Sequence, residues 1–252
     1  MRTLIVIPAR LASVRLPRKV LLAETGKPLI QHVIEQANEC KACNDYAPRV
    51  AVEGGGDDPQ WEINSAVEDL RCCLRTTGKH PSGTSRAGAT LAAEFTRGLQ
   101  WDAICVVQCD VPEISPALID QVIESLERHP EWDCATAAYR CDGSGNQNRV
   151  KALMLQSEID SSYGIARDFS RLADSDFIHI GIYCYRRDAL LKYAAAGPCE
   201  REQDESLEQL RALHIGLKMG VVLTEHAPAG IDTPEDYAAF VARWKASHAD
   251  SA

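Results

Sequence analysis

The chain has 252 residues, with 27 Lys+Arg against 36 Asp+Glu for a formal charge of −9, and 45% of its residues are hydrophobic. This is globular composition, which excludes disordered, fibrous and low-complexity classes, and the length suits one large α/β domain or two small lobes. An acidic balance without a dense Lys/Arg run argues against a nucleic-acid-binding surface.

The apolar residues 4–7 are too few for a signal h-region or a membrane span, so a cytoplasmic protein without membrane contact is expected. In chain order the pattern predicts a strand at 3–9, a helix at 28–38, a strand at 49–52 and a helix at 61–70. A strand at 71–75, a helix at 85–97, a strand at 102–108 and a helix at 116–128 follow, the last with Leu118, Val122 and Leu126 on one face. This is βα alternation. Strands apolar throughout, such as LIVI and AICVV, suit a parallel sheet covered on both faces. Later strands at 134–139, 149–155 and 177–185 have fewer long helices between them, which predicts an inserted β-rich lobe or a mixed-sheet extension. A helix at 206–213, a strand at 219–224 and a helix at 234–244 complete the pattern, and 53–59 and 141–148 read as turn-rich linkers.

Cys40 and Cys43 form a C-x-x-C, and Cys72 and Cys73 are adjacent. A structural zinc needs four ligands, and neither a second C-x-x-C nor a paired His motif occurs. The ten cysteines, in a chain with no export signal, therefore read as thiols. Cys105, Cys109, Cys134 and Cys184 lie in or beside apolar runs as small hydrophobes.

The first strand ends in IPARLASVRLPRK, which concentrates Arg10, Arg15, Arg18 and Lys19 in a loop stiffened by Pro8 and Pro17. In a doubly wound sheet ligands bind beyond the carboxyl ends of the strands, so this loop is a candidate polyphosphate site. It matches neither the P-loop nor the dinucleotide fingerprint. A second candidate is Asp110, just past the strand DAICVVQ. With Asp232, in GIDTPEDY, it could hold one Mg²⁺ whose other ligands are water and substrate phosphate; taken alone, Asp232 reads as a cap for the last helix, as Thr233 also does. HPSGTSR, at 80–86, offers Ser82 and Gly83 to a base or phosphate, or is a helix start capped by Thr84 or Ser85. His179, among β-branched residues, reads as a satisfied core histidine.

The segments IPARLASVRLPRKVLLAETGKPLIQHV, HPSGTSR, VVQCDVPEI, NRVKAL, HIGIYCYRRDAL, ESLEQLRALHIG and GIDTPEDY occur in the order found in the 3-deoxy-manno-octulosonate cytidylyltransferases (CMP-Kdo synthetases), and the chain resembles that family over nearly its whole length. The resemblance implies an α/β, Rossmann-like nucleotidyltransferase fold, with a mostly parallel central sheet, helices on both faces and a smaller β-rich second lobe. It further implies a single domain over 1–252, with the lobe at 134–218 serving sugar binding and dimerisation. The implied activity joins CTP to the eight-carbon 2-keto sugar acid Kdo, for lipopolysaccharide assembly, with Mg²⁺ as cofactor and a homodimer as the assembly. On matching positions, Arg10, Arg15 and Lys19 would hold the triphosphate and Asp110 and Asp232 the Mg²⁺. Pro8, Ala9, Ser82, Gly83 and Gln108 would line the nucleotide pocket, and His179, Tyr183, Glu208 and Gln209 would face the sugar acid. Arg171 would receive its carboxylate, with Arg167 as the competing frame.

The chain departs from the family pattern inside these motifs. Cys109 and Val111 replace Gly and Glu around Asp110, Arg18 replaces the Gly of R-L-P-G-K, and Lys79 and Ser85 stand where acidic residues are usual. The second strand runs into glycines, with Asp57 and Asp58 displaced. These changes leave open a cytidylyltransferase for another 2-keto sugar acid, an 8-amino-Kdo or nonulosonate, and a nucleotide-binding relative without turnover.

Overall fold

A computed structural model describes residues 1–13, 15–54, 60–141, 149–225 and 228–248. The linkers at 53–59 and 141–148 lie largely outside the described residues, and Asp57 and Asp58 entirely so. Nine strands form one sheet: β1 Thr3–Ala9, β2 Arg49–Glu53, β3 Cys73–Thr77, β4 Ala103–Val107, β5 Cys134–Arg140, β6 Lys151–Gln156, β7 Tyr163–Ser170, β8 Phe177–Arg186 and β9 Met219–Thr224. Among the described residues eight α-helices accompany them: α1 Leu29–Asn38, α2 Gln60–Val67, α3 Gly83–Thr96, α4 Pro116–Arg128, α5 Arg187–Ala196, α6 Glu200–Glu205, α7 Gln209–His214 and α8 Pro234–Ser247.

The sheet order is β3-β2-β1-β4-β8-β5-β9-β7-β6, with β6 also touching β8. Every residue of β1 and β4 is buried, because alternate side chains serve two different cores. Ile5 and Ile7 of β1 face a core built with Val33 of α1, Ile63 of α2 and Val122 of α4. Leu4 and Val6 face the other core, with Leu91 of α3, Leu190 of α5 and Leu210 of α7. Helices therefore cover both faces, as the continuous apolar strands imply.

The sheet is mixed rather than mostly parallel. The pairs β1–β2, β1–β4, β2–β3 and β5–β9 are parallel, whereas β4–β8, β5–β8, β6–β7, β6–β8 and β7–β9 are antiparallel. The physical reason is connection length. Parallel neighbours need a crossover, supplied by a helix between successive strands of the first half, while β6 and β7 are joined by a short turn that reverses the chain. Residues 134–218 thus contribute β5 to β8 and α5 to α7 to a sheet continuous with the first half. Strand β7 and helices α5 and α6 had no counterpart in the sequence pattern, and the helix expected at 206–213 begins only at Gln209, after Ser206 takes a left-handed turn (φ 52°) that ends α6.

The edges of the helices follow local chemistry. Ser115 caps α4 through its side chain, with Pro116 in the first turn, a position that needs no N–H donor. Ser82, not Thr84 or Ser85, caps α3 by accepting from the Ser85 amide. Thr233 caps α8 in a reciprocal box with Asp236. Asp232 is therefore not the capping side chain, and its carboxylate is left for other partners.

Cys105, Cys109, Cys134 and Cys184 are buried, as their apolar surroundings predict, and none of the ten cysteines is in a disulfide. No helix among the described residues is long and apolar enough to cross a membrane.

Candidate active site

β1 and β4 are adjacent and parallel, yet the chain leaves β1 toward β2 on one side and reaches β4 from the far edge at β3. Such a reversal opens a crevice beyond the strands' carboxyl ends. Pro8 and Ala9 end one strand there, and Gln108 to Asp110 follow the other. The start of α3 closes the crevice. A Cβ on Gly83 would lie 2.9 Å from Pro8 Cγ and 3.1 Å from Gln108 Nε2, so this wall requires glycine. The wall is braced by Arg86, 3% exposed, whose guanidinium donates to the Ala9 carbonyl at 3.0 Å and to Glu53 at 2.9 Å. In the sequence Arg86 stands within HPSGTSR without a sign of this role, because a lone cation beside a helix cap carries no signal of the carbonyl it will meet.

The charged side of the crevice is assembled from three distant segments. Lys19 Nζ donates to Asp110 Oδ2 at 2.6 Å, to the Ile231 carbonyl at 2.9 Å and to Asp232 Oδ1 at 3.3 Å. Arg15 Nη2 lies 3.0 Å from Asp232 Oδ1. Burial opposes the charge of Lys19, but Asp110 and Asp232 outweigh it and raise its pKa above the ordinary lysine value. Arg10 is exposed at the mouth, directly after β1. Two carboxylates within reach of one ammonium already share a cation, which shows that the pair can serve a positive charge from both sides. No further His, Cys, Asp or Glu joins them as a metal cluster among the described residues. Two hard oxygen ligands with the remaining positions left to water and phosphate is the donor set that suits Mg²⁺.

On the other side of Gln108 the residues are polar and buried. Glu208 accepts from Gln108 Nε2 at 2.7 Å and from the Thr84 amide at 2.9 Å, so it ties α7 to the glycine wall. Burial raises its pKa above the usual carboxylate value, against the pull of the Thr84 amide. Tyr193 of α5 donates to the Glu208 carbonyl at 3.0 Å. Tyr183 donates to Gln209 Oε1 at 3.1 Å. The Gln209 amide nitrogen is buried without a partner, a donor that a hydroxyl-rich ligand could satisfy.

His179 is packed against Phe169 and Tyr183, with ring centroids 5.0 and 5.5 Å away. Its Nε2 lies 2.9 Å from Thr136 Oγ1, and burial lowers its pKa to about 3. It is a satisfied, neutral histidine beside Tyr183. Arg171 donates to the Glu205 carbonyl at the turn that leads into Glu208. Arg167 lies instead on a cavity of about 390 Å³ with Cys199, Arg201 and His214. Both sequence alternatives therefore border the same segment: Arg171 holds the Glu205 carbonyl, and the Arg167 cavity is also lined by Leu210, next to Gln209.

A family model described as Cytidylyltransferase matches residues 4–219. The chain belongs to the cytidylyltransferase family. It is 38% identical over 248 residues to "3-deoxy-manno-octulosonate cytidylyltransferase 1" of Actinobacillus pleuropneumoniae serotype 5b (strain L20), covering 92% of this chain and 95% of that protein. It is 39% identical over 253 residues to the "3-deoxy-manno-octulosonate cytidylyltransferase" of Pseudomonas syringae pv. syringae (strain B728a), with 92% and 94% covered. Among solved structures, CMP:2-keto-3-deoxy-manno-octonic acid synthetase complexed with CTP aligns with a TM-score of 0.81 at 29% identity, over 98% of this chain and 100% of that one. A UDP-glucose pyrophosphorylase complexed with UDP-glucose shares the fold, with a TM-score of 0.67 at 15% identity over 98% and 100% of the two chains. The family resemblance read from the ordered motifs is therefore the family the chain belongs to.

The departures from the cytidylyltransferase pattern have local explanations. Arg18 adopts the left-handed conformation (φ 57°, ψ 24°), so it keeps the backbone that glycine would provide, and its guanidinium pairs with Glu62 of α2. Cys109 and Val111, 8% and 5% exposed, turn into the core that also holds Ile114. Burial pushes the Cys109 thiol up to about 12, so Cys109 adds no charge beside Asp110. Ser85 accepts from Arg211 Nη1 at 3.0 Å, and Arg211 has its own buried carboxylate in Glu202; a hydroxyl there suffices because the charge is already matched. Lys79 is exposed.

Proposed function

We propose that this chain couples CTP to 3-deoxy-D-manno-octulosonate, giving CMP-Kdo and pyrophosphate. The observation that carries the reading is the convergence of Lys19, Arg15, Asp110 and Asp232 beside the Pro8–Gly83–Gln108 wall, within a cytidylyltransferase chain. The wall would receive the cytidine, where Gly83 allows backbone approach and Ser82 and Gln108 offer polar atoms. Arg10, Arg15 and Lys19 would hold the triphosphate and stabilise charge on the departing pyrophosphate. Asp110 and Asp232 would hold Mg²⁺, which supplies charge neutralisation at the phosphates.

The sugar acid would lie against Tyr183, His179 and the unpaired Gln209 amide, with Arg171 toward its carboxylate. Its anomeric 2-hydroxyl attacks the α-phosphorus in line. A C–O–P bond forms, the bond to the β-phosphate oxygen breaks, and the hydroxyl proton leaves to solvent. Positioning and charge neutralisation supply most of the acceleration in such transfers. His179, held neutral by burial, acts as a shaped polar contact rather than as an acid at neutral pH.

The test is pyrophosphate release with Mg²⁺, each nucleoside triphosphate being offered with Kdo, 8-amino-Kdo or a nonulosonate. Release with CTP and Kdo is expected. Release with CTP and another acid alone would reassign the sugar, and no release with any pair would overturn the reading.

A further inference from the structure

The three donors of the Lys19 ammonium are all spent inside the protein, on Asp110, Asp232 and the Ile231 carbonyl. An ammonium has three donors and no more, so in this arrangement none is free for a phosphate. The contact to Asp110 at 2.6 Å is short and charge-assisted, the stronger class of hydrogen bond. Lys19 is also the more enclosed partner, with 12% of its side chain exposed against 49% for Asp232. Arg15 occupies the same Asp232 oxygen from the solvent side at 3.0 Å. Each carboxylate assigned to the metal is thus neutralised by a cation assigned to the nucleotide.

We propose that Lys19 is a resident counter-cation of the Asp110–Asp232 pair, displaced when a divalent ion arrives, so that metal and triphosphate bind as mutually dependent ligands. The inference rests on the metal reading of these two aspartates. A metal ion arriving alone must evict an enclosed ammonium and leave it unpaired beside a dication. A triphosphate arriving alone must draw Lys19 and Arg15 away and face two uncovered carboxylates. When both arrive, every charge is matched: carboxylates to metal, ammonium and guanidinium to phosphate. Such coupling is reciprocal, each ligand tightening the other by the same factor.

Mn²⁺ binding, read from the loss of its free-ion EPR signal beyond that caused by the same CTP without protein, tests this with and without CTP and in the absence of any sugar acid. In the nucleotide-free protein, Lys19→Met is expected to bind Mn²⁺ about tenfold more tightly than the native chain. Lys19→Gln, which keeps a polar head without charge, should behave alike and guards against a packing defect in the first variant. Unchanged or weaker Mn²⁺ binding by both nucleotide-free variants, with native circular dichroism and melting, overturns the inference. Asp110→Asn and Asp232→Asn separate the two levels. If they leave Mn²⁺ binding in the presence of CTP intact, the metal reading itself fails. If they abolish it and the lysine variants bind no tighter, the displacement alone is wrong.

Discussion

Arg18 holds the least comfortable backbone in the phosphate loop. A left-handed conformation costs a non-glycine residue about 1–2 kcal/mol, and here the guanidinium contact to Glu62 returns part of it. Arg18→Gly removes both the strain and the contact while adding disorder to the unfolded chain, so its stability in urea should stay within about 1 kcal/mol of native. Arg18→Val keeps the strain, adds a β-branch and loses the contact, and should cost about 2 kcal/mol in the same measurement. Asp110 behaves differently, because its value lies in chemistry. Asp110→Asn should keep the native fold by circular dichroism and lower kcat for pyrophosphate release by about 10²-fold or more; a loss below tenfold would remove the carboxylate from the reaction. The Arg18 contact was not legible in the sequence, since Glu62 lies 44 positions away on another element.

At the scale of elements, α8 brings Asp232 to the site without joining the sheet. Ile231, Tyr237 and Phe240 pack with Leu16 of the phosphate loop and Leu29 of α1 in a small third core. The Ile231 amide donates to the Asp110 carbonyl at 2.9 Å, and the Tyr237 hydroxyl accepts from the Glu24 amide at 2.9 Å. One cluster therefore sets the phosphate loop and the second aspartate together. Thr233→Ala removes the cap of α8 and should cost about 1 kcal/mol in chemical denaturation, while raising the Mg²⁺ concentration needed for half-maximal turnover, because Asp232 is adjacent to the frayed end. Strand β9 has a stricter demand. A Cβ on Gly220 would overlap the indole of Trp132, which is 3% exposed and cannot swing to solvent. Gly220→Ala should therefore cost about 3 kcal/mol, read as a shift of the urea midpoint.

Over the whole molecule, the buried His32 and the half-buried His179 shape the acid limb of stability. His32 lies 2.8 Å from Thr25 Oγ1 and makes edge contacts with Phe240 and Trp244, which dock α8 on α1. Burial, with help from Lys27, lowers its pKa from 6.5 to about 4, and burial alone takes His179 to about 3. Below pH 6.5 the unfolded chain binds protons that the folded chain refuses. Stability must then fall with falling pH, by at most about 1.4 kcal/mol per pH unit for each such histidine, and His32 stops contributing below about pH 4. The melting temperature should decline across that window, and His32→Gln, although less stable at neutral pH, should show a shallower decline. An equal slope would mean that His32 titrates normally.

Much of the architecture was legible because it is local or repetitive. The strands at 3–9 and 219–224 and the helix at 116–128 match their observed bounds, since apolar runs, periodicity and a Ser-Pro cap act within a few residues. The ordered motifs marked the family, because their residue types and sequence need no coordinates to be read. Strand β7 escaped because YGIARDFS alternates poorly, its burial being set by β6 and β9 on either side. Strand direction in the second half, the bracing of the wall by Arg86 and the left-handed Arg18 were likewise decided only in three dimensions. So was the engagement of Lys19 with two aspartates 91 and 213 positions away. Sequence by itself determined which chemical groups the chain owns and the period on which they repeat; the tertiary structure decided which of them meet, because a hydrogen bond or ion pair depends on distance in space, and the sheet brings together what the chain keeps apart.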